Sequence, residues 1–282
     1  MKIKVITDSG ASLSKEQALS CGLQFLPLQV AIEDYVYLDG LNLECDQLYD
    51  FLNRGFLPHT SLPPLGYIET VLENLKKEGV TDIILITLSS GLSSTNSTVQ
   101  ASAKWHGIKV HTLDIYTTLA VQRYLAIRAI ELVNQGIQID EIMKRLEQSV
   151  NDSKGYLIPE NMDHLARGGR LSPTVAKLAG MLKIVPILEV SKETEGKVGG
   201  KPEKVHTMSK AIKKTVKRVC EGKRAEEYEF FVMDSDADSY LQMAIEAFEE
   251  NGIHPQVSKI GSVIASHTGT GAIGIQYIKR VE

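Results

Sequence analysis

No run of roughly 20 apolar residues occurs in the sequence, so no stretch has the length to cross a bilayer as a helix. The opening segment, Met1 to Asp8, lacks the apolar run and small-residue cleavage site of a secretory signal and reads directly as a strand. Cysteine is scarce: Cys21, Cys45 and Cys220 are odd in number and carry no metal-ligand spacing, which suits idle thiols in a reducing cytoplasm. A basic excess is missing too. With a net charge of −4 there is no footprint for nucleic acid. G-x-S-x-G, H-E-x-x-H and a Walker lysine loop are all absent, which removes the commonest local signatures of hydrolases and nucleotide-binding loops.

What remains is an ordinary globular balance, 43% hydrophobic and 23% charged over 282 residues. That length favours two lobes of about 150 residues each. Strands are expected at Ile3–Thr7, Gln24–Ile32, Tyr35–Leu38, Asp82–Thr87 and Lys109–Leu113, with helices between them over 14–21, 46–53, 65–78, 95–105 and 117–134. Ser14 with Gln17 has capping-box spacing, and Gly22 supplies the stop. Apolar strands alternating with helices predict an α/β fold with a mostly parallel sheet, and Glu33-Asp34 a hairpin on its edge. After a helix ending near Asn151, the boundary is expected around Gly155–Pro159, giving lobes 1–154 and 155–282. The second, smaller α/β lobe is expected to hold short helices over 160–167 and 174–180, a strand Ile184–Val190, a Gly-rich turn and a helix from Glu203 to Cys220. Further along come a strand at 228–233, a helix over 237–251 and strands near 256–260 and 275–278.

In parallel sheets ligands bind beyond the carboxyl ends of the strands. Three expected strands end there in polar clusters: Asp8-Ser9, Ser89 to Thr95, and Asp114 with Thr117-Thr118. The middle one puts five hydroxyls in seven residues before a helix start, without Lys or Arg. Neutral donors at a helix start suit a single carboxylate better than a triphosphate, though a capped helix explains them as well. Thr60-Ser61 likewise precedes a helix. Near the other end, Gly269 to Gly274 matches G-x-G-x-x-G, but the eight residues beyond it leave no room for a crossover helix and second strand. A turn bringing His267 close to something survives. Arg167-Gly168-Gly169-Arg170 sets two arginines around a doubled glycine, a pattern that suits a phosphate or acidic partner as well as a plain tight turn. The lysines of the 203–220 helix read as a solvated face.

Taken in order, these segments resemble the DegV family of fatty-acid-binding proteins: Thr7-Asp8-Ser9, Thr60-Ser61-Leu62-Pro63, Ser89 to Thr95, Leu165 to Ser172, Pro186-Ile187-Leu188 and His267 to Gly271. The resemblance implies two α/β lobes with a lipid tunnel between or within them, holding one long-chain fatty acid and no other cofactor or metal. The carboxylate would be held by Thr60 or Ser61 and Ser93 or Ser94, with His267 nearby. It further implies a carrier that catalyses nothing itself. A separate ATP-dependent fatty acid kinase would phosphorylate the bound acid, and an acyltransferase of phospholipid synthesis would take the acyl phosphate. Arg170 and Arg167 would belong to the kinase docking or transfer surface. Ser94, Pro64 and Thr270 depart from the family pattern, as does the segment around Asp114.

Two other readings are open from the residues: an esterase or acyltransferase using Ser93 or Ser94 with His267, and a nucleotide-binding domain on the same permissive sheet. No heptad seam demands a dimer, so a monomer is expected.

Overall fold

The computed structural model describes residues 2–180 and 184–282. In chain order, β1 (Ile3–Asp8) leads to α1 (Lys15–Ser20), β2 (Gln24–Leu26), β3 (Gln29–Ile32), β4 (Tyr35–Leu38), α2 (Cys45–Asn53), β5 (His59–Ser61) and α3 (Leu65–Lys77). Then come β6 (Asp82–Ile86), α4 (Thr95–Trp105), β7 (Lys109–Thr112), α5 (Leu119–Asn134) and α6 (Ile139–Val150). The remaining elements are β8 (Ser153–Ile158), α7 (Met162–Arg167), α8 (Pro173–Ala176), β9 (Val185–Val190), β10 (Gly199–Val205) and α9 (Met208–Cys220). Last in order are β11 (Tyr228–Asp234), α10 (Asp238–Glu249), β12 (Gln256–Lys259), α11 (Ser262–Thr268) and β13 (Ile273–Lys279).

A four-stranded parallel sheet, ordered β2-β1-β6-β7, comes wholly from the first part of the chain. Its central strands β1 and β6 are largely buried on both faces, and the alternation of side chains assigns them. Ile6, Ile83 and Leu85 pack with Ile68 and Leu72 of α3 and Val99 of α4. Val5, Ile84 and Ile86 point the other way, to Val121, Leu125 and Ala129 of α5. That period of two is why the strands read as unbroken apolar runs.

A six-stranded sheet, ordered β10-β9-β8-β13-β11-β12, forms the second part. It is antiparallel except where β12 joins β11. Ile158, Ile187, Phe230 and Val232 face α9 and α10, while Leu157, Leu188, Phe231 and Met233 face the opposite side and join the core around α5. Helix α5 therefore lies between the sheets. Its apolar residues run nearly all round, as a helix buried on most sides requires.

The structure departs from the sequence expectations at definite places. The run 24–32 is broken: Leu26 ends β2 in the parallel sheet, and past Pro27 the chain enters a separate sheet ordered β4-β3-β5. Proline has no N–H to continue a ladder. The hairpin turning at Glu33 (φ 52°) thus belongs to that small sheet and not to an edge of the parallel one. The segment expected to join the lobes, Gly155–Pro159, largely lies in β8, paired on both sides by β13 and β9. Glu203–Val205 sit in β10, and α9 starts only after Thr207, whose side chain accepts from Lys210 N. Residues 264–268, expected as part of a turn, belong to α11 (Ser262–Thr268).

Candidate functional site

Between the two sheets lies a cavity of about 530 Å3, within the range of small-molecule sites. Its apolar wall comes from every layer: Leu28, Leu88, Leu119, Leu157, Leu165, Val190, Val198, Val263 and Ile264. Polar side chains enter from several elements, among them Thr60 and Ser61 on β5, the 90–94 loop after β6, Thr117-Thr118 before α5, Arg170 after α7, His267 on α11 and Gln276 on β13. The parallel register brings the ends of β1, β6 and β7 to one rim, as the sequence predicted.

The rim separates into scaffold and lining. Asp8 is fully buried and lies outside the cavity wall. Its carboxylate accepts Gly10 N at 2.9 Å, Gln122 Nε2 at 2.8 Å and Leu88 N at 3.2 Å, tying β1, β6 and α5 together. Desolvation raises its pKa to about 7 against those three donors. Ser9 Oγ accepts Leu28 N at 3.1 Å. The opening Thr-Asp-Ser segment therefore holds the strand ends. Ser90 bonds Asp114, and Ser89 N donates to Thr117 O at 2.8 Å, which fixes the serine loop against the head of α5.

Ser93 and Thr95 share a hydrogen bond at 2.9 Å, and Thr95 N donates to Ser93 Oγ at 3.3 Å. Ser93 thus turns the chain into α4, whereas the exposed Ser94 makes no side-chain cap. Across the cavity, Thr60 Oγ1 and His267 Nε2 are 2.7 Å apart. On the other side of the ring, a Cβ on Gly168 would stand 2.6 Å from His267 Nδ1, so only glycine fits there. Gly169, at φ +70°, takes the left-handed turn. The doubled glycine thus has two separate causes, close approach and backbone path. Burial lowers the His267 pKa to about 4, helped by the charge of Arg170 and by His164 and His59, so the ring is neutral near pH 7.

Of the seven residues singled out in the sequence, Thr60, Ser61, Ser93, Ser94, Arg170 and His267 line this one cavity. Arg167 does not; it is exposed and borders a separate depression with Phe56 and Leu57. The 89–95 loop carries no cation, yet the fold supplies one from elsewhere, because Arg170 is in the wall and bonds Gly168 O at 2.8 Å. Gly269 and Gly271 connect α11 to β13 with φ values of +74° and +82°, and Gly274 lies within β13. The three glycines lead into a strand instead of opening a helix, so the dinucleotide match fails on structure also.

Gln276 was missed. It is buried in β13, accepts Val121 N at 3.1 Å, and donates to Thr117 Oγ1 and Thr118 O, both at 3.0 Å. It closes the cavity wall by joining the second sheet to α5. A lone glutamine inside the run Ile273–Ile278 was the available signal, since a polar residue at mid-strand needs buried partners. Backbone strain marks the same region: Tyr116 and Leu119 have φ of 52° and 61° on either side of Thr117-Thr118.

A profile of the family described as uncharacterised protein, DegV family, matches residues 2–280. The chain belongs to the DegV family. A DegV domain-containing protein of Staphylococcus aureus is 32% identical, the match covering 99% of this chain and 98% of that one. Protein DegV of Bacillus subtilis is 31% identical over 98% of each. Among solved structures, a fatty-acid-binding DegV family protein of Streptococcus agalactiae superposes with a TM-score of 0.89 at 28% identity over 99% of both chains. The Bacillus subtilis DegV, described as a fatty acid binding protein, gives 0.87 at 29% identity over 99% of this chain and all of that one. The α/β fold with a parallel sheet in its first part and a further sheet in its second is that of these DegV structures.

Proposed function

We propose that this DegV chain binds one long-chain fatty acid, its tail in the oily part of the 530 Å3 cavity and its carboxylate among the hydroxyls. The observation that carries the reading is the Thr60–His267 pair set, with Arg170 and the serine loop, against the apolar wall of Leu28, Leu88, Leu157, Val190 and Val263. A neutral His267 fixes the Thr60 hydroxyl without bringing a second full charge, and Ser61, Ser93 and Ser94 add donors. Arg170 supplies the countercharge. Each buried methylene contributes about 0.8 kcal/mol, so a chain of about 15 gives on the order of 12 kcal/mol before ordering costs. Hydrogen bonds to the charged head add about 1.5–3 kcal/mol each and set direction and register.

In this reading the protein is a carrier with no cofactor of its own. It presents the carboxylate to a separate ATP-dependent fatty acid kinase, and the acyl phosphate passes to an acyltransferase of phospholipid synthesis. Arg167, exposed beside Phe56 and Leu57, suits the docking of that kinase, and Arg170 suits the head group as it becomes a phosphate. The esterase reading fares worse on geometry. His267 bonds Thr60 and not Ser93 or Ser94, and a ring with a pKa near 4 is a weak general base.

The test is denaturing mass spectrometry of lipid extracted from the purified protein, on wild type and Thr60→Val. One long-chain acid per wild-type chain is expected, with about tenfold weaker retention in the variant, the worth of one charge-assisted hydrogen bond. A wild-type protein that takes up no fatty acid overturns the reading. Steady turnover of an activated acyl ester, lost in Ser93→Ala, would replace it with the esterase.

A further inference from the structure

A separate cavity of about 370 Å3 is lined by Ser12 to Ser14 and opens where α5 meets β12. Its wall is polar, with Arg123 of α5 facing Ser258 and Lys259 of β12. Arg123 is partly buried, and its polar partner among the described residues is Ser258 Oγ at 3.3 Å. It makes no ion pair among the described residues, and burial lowers its pKa with only the Cys21 thiol opposing. A guanidinium carries five N–H donors, and a partly desolvated one without an anion is a costly feature to keep. Lys259 is already paired with Asp46. Asp39, buried in the same wall, accepts Val263 N at 3.3 Å and the Ser9 hydroxyl but makes no ion pair among the described residues, and the exposed Glu44 lies beside it.

The wall therefore holds one cation without an anion and one buried carboxylate without a cation, with a second, solvent-facing carboxylate at Glu44. A simple anion satisfies Arg123 but meets Asp39 and Glu44. A simple cation has the reverse difficulty. We propose that this cavity is a binding site for a small zwitterion of the amino-acid class, its carboxylate on the Arg123 fork and its ammonium toward Asp39 and Glu44. Arginine's planar fork matches a carboxylate in bidentate fashion, and Ser258 orients it. The site is distinct from the lipid cavity: the two share no lining residue. Helix α5 connects them, since Leu119 at its head lines the lipid cavity and Arg123 lies one turn on.

The probes are glycine, β-alanine and 4-aminobutyrate, with acetate and methylammonium as half-ligands, titrated calorimetrically and by thermal shift into the full chain as purified. One zwitterion is expected to give saturable binding that weakens about tenfold or more in Arg123→Met, the loss of a charge-assisted pair. Extracted lipid should be unchanged in that variant, which separates this site from the fatty-acid reading. Arg123→Lys keeps the charge without the fork and is expected to weaken binding in the same direction, so the test survives if the methionine variant folds poorly. Absence of binding by every zwitterion overturns the proposal. So does binding that persists unchanged in both variants, or acetate binding as tightly as the best zwitterion.

Discussion

His267 is held in a neutral state by its surroundings, and the sign of its effect on stability follows. Its pKa is about 4 in the fold, against 6.5 for an unperturbed histidine. Between those values the unfolded chain binds the extra proton, so stability is fully present above about pH 6.5 and is lost as pH falls toward 4. The loss is up to about 3 kcal/mol at 1.36 kcal/mol per unit. Asp8 and Asp39 work the other way. Burial raises them to about 7 and about 6, so their contribution is full below 3.8 and lost as pH rises through those values. Urea melts of His267→Asn and wild type from pH 4 to 7 separate the two. The variant is expected to be less stable at pH 7, with the gap shrinking steadily toward pH 4. A gap that stays constant would mean the ring is not protonation-sensitive in the fold. Among single residues, the sequence exposed the hydroxyls and His267 but hid Arg170 as a cavity residue, because which side of a loop a side chain faces depends on packing many residues away.

At the level of elements, legibility tracked how local the cause was. The capping box at Ser14 and Gln17 formed as read, with reciprocal bonds at 3.1 and 2.8 Å, and α4 begins and ends where its pattern says. Strand β8 and helix α11 were not seen as elements. Ser153–Ile158 follows a helix with little turn signal, and its place between β13 and β9 is fixed only by distant partners. Residues 262–268 are short and small, with α2, α7 and β3 packed on them, so tertiary contact made the helix and propensity did not. One loop-to-loop seam was also invisible. A Cβ on Gly91 would stand 2.3 Å from Glu195 O, and one on Gly196 1.7 Å from Ser89 Oγ. The serine loop is thus pressed against the turn that leads to Val198. Gly91→Ala is expected to cost about 1–3 kcal/mol and to loosen this wall of the cavity. Chemical denaturation measures the first, and faster release of extracted lipid the second. An unchanged midpoint would mean that the seam yields without penalty.

The two larger sheets lie on either side of α5, and Gln276 is a side chain that ties the six-stranded one to that helix. Gln276→Leu removes three hydrogen bonds and leaves Thr117 Oγ1 and Val121 N without their buried partner. Such losses amount to about 1–3 kcal/mol per orphaned group. The variant should unfold at lower denaturant, and a saturating fatty acid should recover part of that loss through the linkage of binding to folding. Equal stability of variant and wild type would show that the sheets are held together elsewhere. The overall class, α/β with a parallel sheet, was legible because alternation of strands and helices is written locally. The sharing of one cavity by all layers was not, since no local pattern encodes which faces meet.

The wall of the larger cavity draws on β5 early in the chain and on α11 and β13 more than 200 residues later. A growing polypeptide on the ribosome therefore has no finished receptacle until residue 276 has emerged and paired. Until then Leu28, Leu88 and Leu119 lack the facing half of their enclosure. Any occupant thus meets a complete wall only once β13 has paired, and a nascent chain halted before α11 lacks His267 and Gln276.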